Sequence, residues 1–582
     1  MRKLVFLAIF LCFAFLNINA EIVDNKSSLQ AEKPDKSKPA DEKIDYLIIT
    51  TDSLLDSARK YEKYRQKTGY KTQILTVAEC MKKFGDDNAG LAIQQVILEY
   101  RSRVRLGLTD KIDANPLKLP KNYKCPNFYV LLLGDITPEG QKFDPKVHIP
   151  GFYKKFKTDP GITGPATFEN VPSDNSYACR PQDDDVPTIP VGRLTFTTAK
   201  EVEDYLEAVK KYESEPAGGL WRRRINIFAG DPRFEGVPKF VSDLIENFFK
   251  TGVINNLGAE YEGVLTYANV NSPYAYAPSK YNEKLISEIN KGSLILNYIG
   301  HGSKTSVDRL HFRNERYPVF TVKDAAKIDC KGKLPIAAFF TCYTGCYDME
   351  KPSLAETLLA NPKGPIGVIA SSRISAEANY LLETAFFKAA TIDKEETLGK
   401  LFLKTKRLML TQKLPMAQMI KRMKLKISAL EGYAEGKRSH LWLYNLFGDP
   451  ALKIPHPELK CEIKLEKDSV VQGSQINAFI GCDSKDVEIL VTFECKIADF
   501  LEKPSIIDVN DKDFEKKAIK NHEIANMKVI AKQTVKLVEG KAHVTFKIPN
   551  TLKPRKYIIR AIVNDGNMTG FAASEFEVIE KD

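Results

Sequence analysis

From Tyr46 to Ala370 the chain repeats one pattern, an apolar run of strand length followed by a stretch of helical spacing. Residues 46–50 are apolar, 53–66 carry the helical period, 71–77 read as a strand again, 89–104 as an amphipathic helix, and 128–133 as a buried strand ending in Gly134-Asp135. Such alternation predicts parallel strands, because a parallel pair needs a crossover and the crossover helix covers a face of the sheet. A second series begins at 188–194. It runs through helix 199–213, strand 225–229 ending in Gly230-Asp231, helix 239–250, strand 261–267, helix 280–290, strands 293–299 and 334–340, helix 353–360 and strand 366–370. The expected fold class is therefore α/β, with doubly wound parallel sheets in two tandem halves. Helices 378–390, 397–411 and 416–431 are expected to pack outside, and the unit closes near 441–455.

In an open parallel sheet, groups at the carboxyl ends of neighbouring strands project into one crevice. Two apolar runs end there in reactive side chains. Residues 294–303 read Leu-Ile-Leu-Asn-Tyr-Ile-Gly-His-Gly-Ser, and residues 335–342 read Pro-Ile-Ala-Ala-Phe-Phe-Thr-Cys. Taken singly, His301 fits a tight strand-end turn and Cys342 a buried core thiol. Together at strand ends they place an imidazole beside a thiol, the pairing that makes a cysteine nucleophile. Gly302 after the histidine lets backbone come close to a substrate and leaves an N–H to face an oxyanion. Cys346 makes a C-x3-C pair with Cys342, which suits a metal or a redox couple as well. Zinc needs further ligands, however, and only His311 and Cys330 are near, at no recognised spacing.

These motifs resemble those of the gingipain-type cysteine peptidases, a caspase-like family. The matching residues are 297–303 (Asn-Tyr-Ile-Gly-His-Gly-Ser), Leu334-Pro335 with Cys342 following, and Gly345, Pro352, Ala355 and Glu356. Ile369-Ala370-Ser371, Phe447-Gly448-Asp449-Pro450, 131–135 and Gly192-Arg193 match as well. The resemblance covers about 46–455 and implies Cys342 as nucleophile and His301 as general base or acid. It also implies an oxyanion hole made by the N–H groups of Gly302 and Cys342. It places an acidic residue that orients the histidine after the strand ending in Ala229-Gly230; Asp231 is the candidate and Glu235 the alternative. The acid that selects arginine in part of the family falls here near Pro238, so arginine selectivity does not carry over. A second family position for a basic substrate side chain falls near Glu377, although a solvated helix N-terminus accounts for a glutamate equally well.

At 582 residues the chain is expected to hold more than one domain. Residues 1–20, with Arg2, Lys3, an apolar stretch and Ala20, read as a signal peptide. Residues 21–43 read as a linker with no room for a large folded pro-segment, 44–195 as an N-terminal α/β subdomain and 196–455 as the catalytic subdomain. Residues 456–582, with short alternating stretches, read as an immunoglobulin-like β-sandwich. No later segment approaches the ~20 apolar residues of a membrane span, so the mature chain is expected to lack one. The net charge of +11, from 86 basic and 75 acidic residues, comes from lysines spread along the chain, which argues against a nucleic-acid partner.

The leader removes Cys12 from a total of ten cysteines, and the odd remainder leaves at least one free thiol or an intermolecular bridge. Cys461, Cys482 and Cys495 could supply one disulfide, in a pairing left open. Residues 137–187 read as a long loop region in which Asp174, Asp183, Asp184 and Asp185 offer oxygen ligands for a structural calcium, or simply serve turns. No cofactor is required. The expected activity is that of an exported endopeptidase acting on proteins or peptides, secreted or held in the periplasm or at the cell surface. The alternatives are a non-catalytic exported binding or adhesin homologue, and a processing peptidase dedicated to one protein substrate.

Overall fold

The computed structural model describes residues 43–85, 88–103, 124–158, 167–181, 185–214, 219–230, 253–254, 256–375, 378–412, 433–566 and 568–581. The leader, nearly all of the linker, and the expected helices 239–250 and 416–431 lie outside them. Among the described residues fourteen strands precede Pro455: β1 Tyr46–Thr50, β2 Thr72–Thr76, β3 Tyr129–Leu133, β4 Phe152–Thr158, β5 Thr167–Ser173, β6 Val191–Leu194, β7 Arg224–Ala229, β8 Glu262–Tyr267, β9 Ile295–Ile299, β10 Ser306–Phe312, β11 Glu315–Thr321, β12 Ile336–Phe340, β13 Gly367–Ser371 and β14 Tyr444–Phe447. Every residue of β1, β3, β9, β12 and β13 is buried, as befits apolar runs covered on both faces.

Ten of these strands form one sheet in the order β2-β1-β3-β6-β14-β13-β12-β9-β7-β8. The two expected halves are thus parts of a single sheet. The joint is β14, last in sequence, which lies parallel to β6 and antiparallel to β13. The expected loop region 137–187 also holds a hairpin, β4–β5. A second hairpin, β10–β11, follows the His301 turn.

Just beyond β14, Asp449 is fully buried and explains the Phe-Gly-Asp-Pro motif. Its carboxylate accepts hydrogen bonds from Tyr46 (2.9 Å), Tyr61 (2.6 Å), Arg65 Nε (2.8 Å) and the Ala451 N–H (2.8 Å). Arg65, equally buried, also pairs with Glu213 at 2.9 Å. A second buried ion pair joins Arg193 to Asp174, with Arg193 Nη1 donating to the carbonyls of Gly134 (3.1 Å) and Ile149 (3.0 Å). Of the carboxylates considered for calcium, Asp174 therefore serves Arg193 and Asp185 pairs with Lys154, while Asp183 and Asp184 lie outside the described residues.

After Pro455 come β15 Cys461–Leu465, β16 Ser469–Val471, β17 Gln475–Cys482, β18 Glu488–Cys495, β19 Val529–Lys536, β20 Lys541–Lys547, β21 Arg555–Asn564 and β22 Thr569–Ile579. They form sheets β15-β17-β20 and β16-β22-β21-β18-β19, which share a core containing Ile476, Ile480, Phe493, Phe546, Tyr557 and Phe576. Cys461 and Cys482, opposite each other on β15 and β17, form the disulfide. A helix absent from the sequence reading, Phe514–Asn526, is inserted between β18 and β19 and docks on the α/β unit. There the Asn526 side chain accepts from the Leu265 N–H (2.9 Å) and donates to the Leu265 carbonyl (3.0 Å), capping the edge strand β8 as a further strand would. Among the described residues no helix is long and apolar enough to cross a membrane.

Removing the Asp449 carboxylate leaves the Arg65 charge buried with part of its compensation gone. Asp449→Ala should therefore cost about 3–5 kcal/mol in a denaturant titration. A loss below about 1 kcal/mol would contradict a structural role for the motif.

Candidate active site

The parallel register of β9 and β12 sets Ile299 opposite Phe340. Two residues further along each chain stand His301 and Cys342, so both follow the ends of adjacent strands. The turn confirms the approach. A Cβ built on Gly302 would lie 2.5 Å from the Cys342 carbonyl oxygen and 2.7 Å from Thr341 Oγ1, so only glycine lets the His301 turn lie against the cysteine peptide. Among the described residues, neither the Gly302 N–H nor the Cys342 N–H donates to a backbone carbonyl.

Past Cys342 the chain turns sharply. Tyr343 adopts φ of 57°, a left-handed conformation uncommon for a bulky residue, and its N–H donates to the Arg373 carbonyl at 3.1 Å. The Tyr343 hydroxyl donates to Glu169 on β5. The Thr341 and Thr344 hydroxyls are hydrogen-bonded at 2.9 Å, and the Cys346 N–H reaches back to the Tyr343 carbonyl at 3.0 Å.

The cysteines separate by environment. Of the seven free thiols among the described residues, Cys342 alone is partly exposed; Cys80, Cys125, Cys179, Cys330, Cys346 and Cys495 are buried. Cys342 Sγ donates to the Ser375 carbonyl (3.4 Å) and faces the Ser375 N–H (3.4 Å) and hydroxyl (3.8 Å). Burial pushes its pKa up, the Ser375 donors oppose that, and the negative charges of Glu169 and Asp308 add to the rise. Cys346 sits beneath, with Arg373 Nη1 at 3.1 Å from its sulfur, and burial pushes it up to about 12. Arg373 is held in turn by a bidentate pair with Asp348, at 2.8 and 2.6 Å. Among the described residues no three His, Cys, Asp or Glu side chains group as a metal site.

A cleft of about 640 Å³ opens beside Cys342, lined by Glu139, Glu169, Gly302, Lys304, Tyr343 and Arg373. A larger one of about 830 Å³, near Tyr70, Arg222 and His456, lies at the opposite, amino-terminal end of the strands. Asp231, its alternative Glu235, and Glu377 fall outside the described residues. Among the described residues, a carboxylate at the His301 turn is that of Asp308, on β10. Sequence reasoning missed it because its strand is mixed in polarity and follows the motif rather than forming part of it.

A mixed, mainly parallel sheet carries a partly exposed cysteine and a histidine at adjacent strand ends, the arrangement a cysteine-type endopeptidase needs. The profile of peptidase family C25 matches residues 39–455, and the chain belongs to that family. A search of curated proteins found no match. Among solved structures, the chain is similar to the Arg-specific cysteine proteinase gingipain R (RGPB). The two share 15% identity over 94% of this chain and 100% of that one, with a TM-score of 0.47. The complex of Porphyromonas gingivalis RgpB pro- and mature domains is similar at 16% identity, covering 92% of this chain and 100% of that chain (TM-score 0.46). Dimeric latent PorU from Porphyromonas gingivalis is similar at 13%, covering 93% of this chain and 44% of that chain (TM-score 0.33).

Alkylation of the native protein by iodoacetamide should modify Cys342 first. Because burial and neighbouring carboxylates disfavour the thiolate, reactivity should rise with pH to a midpoint above the ordinary cysteine value of about 8.5. Equal labelling of Cys346, or a midpoint below about 7, would contradict this environment.

Proposed function

We propose that this chain is an exported cysteine endopeptidase that hydrolyses peptide bonds through a Cys342–His301 dyad. The observation that carries the reading is the contact of the Gly302 turn with the Cys342 peptide, where neither residue's N–H donates to a backbone carbonyl. With its pKa raised, the resting thiol is protonated at neutral pH, so His301 acts as base at the moment of attack. Cys342 Sγ adds to the scissile carbonyl as its proton passes to the imidazole. The two N–H groups face the developing oxyanion. Collapse of the adduct breaks the C–N bond, the imidazolium protonates the leaving amine, and a thioester remains on Cys342. Water, deprotonated by His301, then attacks the thioester and returns the thiol.

Asp231 is assigned to orienting the imidazole and Glu377 to a basic substrate side chain. The leader 1–20 directs export, and the sandwich from 456, read as immunoglobulin-like, presents or steadies the catalytic unit. This chemistry needs no cofactor.

Digestion of a peptide library by the chain without its leader, under reducing conditions and read by mass spectrometry, tests the reading. Cys342→Ala should abolish cleavage and Cys346→Ala should leave most of it, whereas Glu377→Ala should weaken cleavage after Lys or Arg. Equal loss in both cysteine variants would sink the nucleophile assignment, and an unchanged profile would remove Glu377. No cleavage by any folded form would favour a non-catalytic homologue or a peptidase dedicated to one protein.

A further inference from the structure

The hairpin that follows the histidine turn contributes a carboxylate for which the dyad reading has no role. Asp308 Oδ2 accepts from the His301 backbone N–H (2.9 Å) and from the Tyr298 hydroxyl (2.9 Å). The Asp308 N–H in turn donates to the His301 carbonyl at 3.2 Å, so one residue clasps the histidine at both its N–H and its C=O. The same alignment continues outward. Gly302 bridges Val307 in antiparallel fashion, and the Ser303 N–H donates to the Ser306 carbonyl at 2.8 Å. The start of β10 is thereby folded back along the whole Gly-His-Gly-Ser turn.

Two neighbouring strands make room for this carboxylate. Gly230 at the end of β7 and Gly300 at the end of β9 lie against each other and against Asp308, and a Cβ on either would overlap Oδ2. The ends of β7 and β9 and the start of β10 thus converge on one oxygen. Among the described residues its partners include the His301 backbone N–H and the hydroxyl of Tyr298 on β9. The contact with the His301 backbone is a different task from orienting the imidazole ring, for which the expected acid directly follows Gly230.

We propose that Asp308 is a positioning residue for peptide hydrolysis, holding the His301–Gly302 turn so that the imidazole and the Gly302 N–H stay aligned on Cys342. The proposal rests on the dyad reading above. A misplacement of about 1 Å at a reacting group costs on the order of 100-fold in rate, and loss of an oxyanion donor about 100- to 1,000-fold. The Asp308 carboxylate holds the His301 N–H, where β10 otherwise meets the turn through backbone bonds, so losing it exposes the turn to both losses.

The test compares Asp308→Asn, Asp308→Ala and Asp308→Ser, with kcat expressed per Cys342 titrated by a peptidyl electrophile, so that unfolded protein does not count. Asparagine retains an acceptor at the same reach and should keep kcat within about threefold. Alanine offers no acceptor and serine a hydroxyl too short to reach, so both should lower kcat by about 10- to 100-fold with KM within about twofold. All three remove the charge that helps raise the Cys342 pKa, so all three should move the iodoacetamide midpoint down together. Unchanged kcat per titrated site in both the alanine and serine variants would overturn the proposal. So would an asparagine variant as slow as alanine, since charge rather than the hydrogen bonds would then be at work. If Cys342→Ala cleaves as well as the parent, the dyad itself is wrong; if Cys342→Ala is inactive while Asp308→Ala is fully active, only the role of Asp308 is lost.

Discussion

The pairing of Ile299 with Phe340 across β9 and β12 is the constraint from which the site follows. Both strands are buried on both faces, so a slip of one residue would turn every side chain to the wrong side, and packing fixes the register. With that register set, the chains leave adjacent strand ends two residues before His301 and Cys342. The proposed pairing of the two residues is thus a by-product of how two apolar strands must lie side by side. What the local sequence adds is room: Gly302 lets the turn touch the Cys342 peptide, and Gly230 and Gly300 leave space for Asp308.

The sheet around this pair is held by polar groups far from the chemistry. Asp449 binds Tyr46, Tyr61 and Arg65, which ties the last strand of the catalytic unit to the first strand and helix. Arg193, on β6, binds Asp174 and the carbonyls of Gly134, Ile149 and Pro150, which anchors the β3 end and the segment that follows it to β6. Each such carboxylate is useful because its lone pairs are used; removing one partner would strand a buried charge. Several motifs that identify the family are therefore structural, and a substitution at Asp449 or Arg193 would inactivate through folding.

How much of this is legible in sequence depends on how each residue earns its place. The strands β1, β3, β9, β12 and β13 can be read because burial on both faces demands continuous apolar runs. The hairpins cannot. β4 carries Lys154 and Lys155, β5 carries Pro172, and β11 carries Pro318, so neither hairpin shows a clean alternation. The single sheet is hidden for another reason: β14 has four residues and is inserted between β6 and β13 by long-range pairing that no local pattern encodes. Cys342 and His301 stand out because each ends a strand beside glycine or threonine. Asp308 does not, since its role comes from a backbone fold-back past the turn. The choice of Cys461 and Cys482 over Cys495 likewise needed the antiparallel register of β15 and β17.

The central claim is that one thiol and one imidazole share a site. Cross-linking with 1,3-dibromoacetone measures this directly, because its two electrophilic carbons join only a nucleophile pair within a few ångströms. Adjacent parallel strands lie about 4.8 Å apart, within that reach. Digestion and mass spectrometry should recover the peptide containing Cys342 joined to the peptide containing His301, with the cross-link lost in His301→Ala. Cys342 carrying only single adducts, or joined to a residue other than His301, would contradict the account.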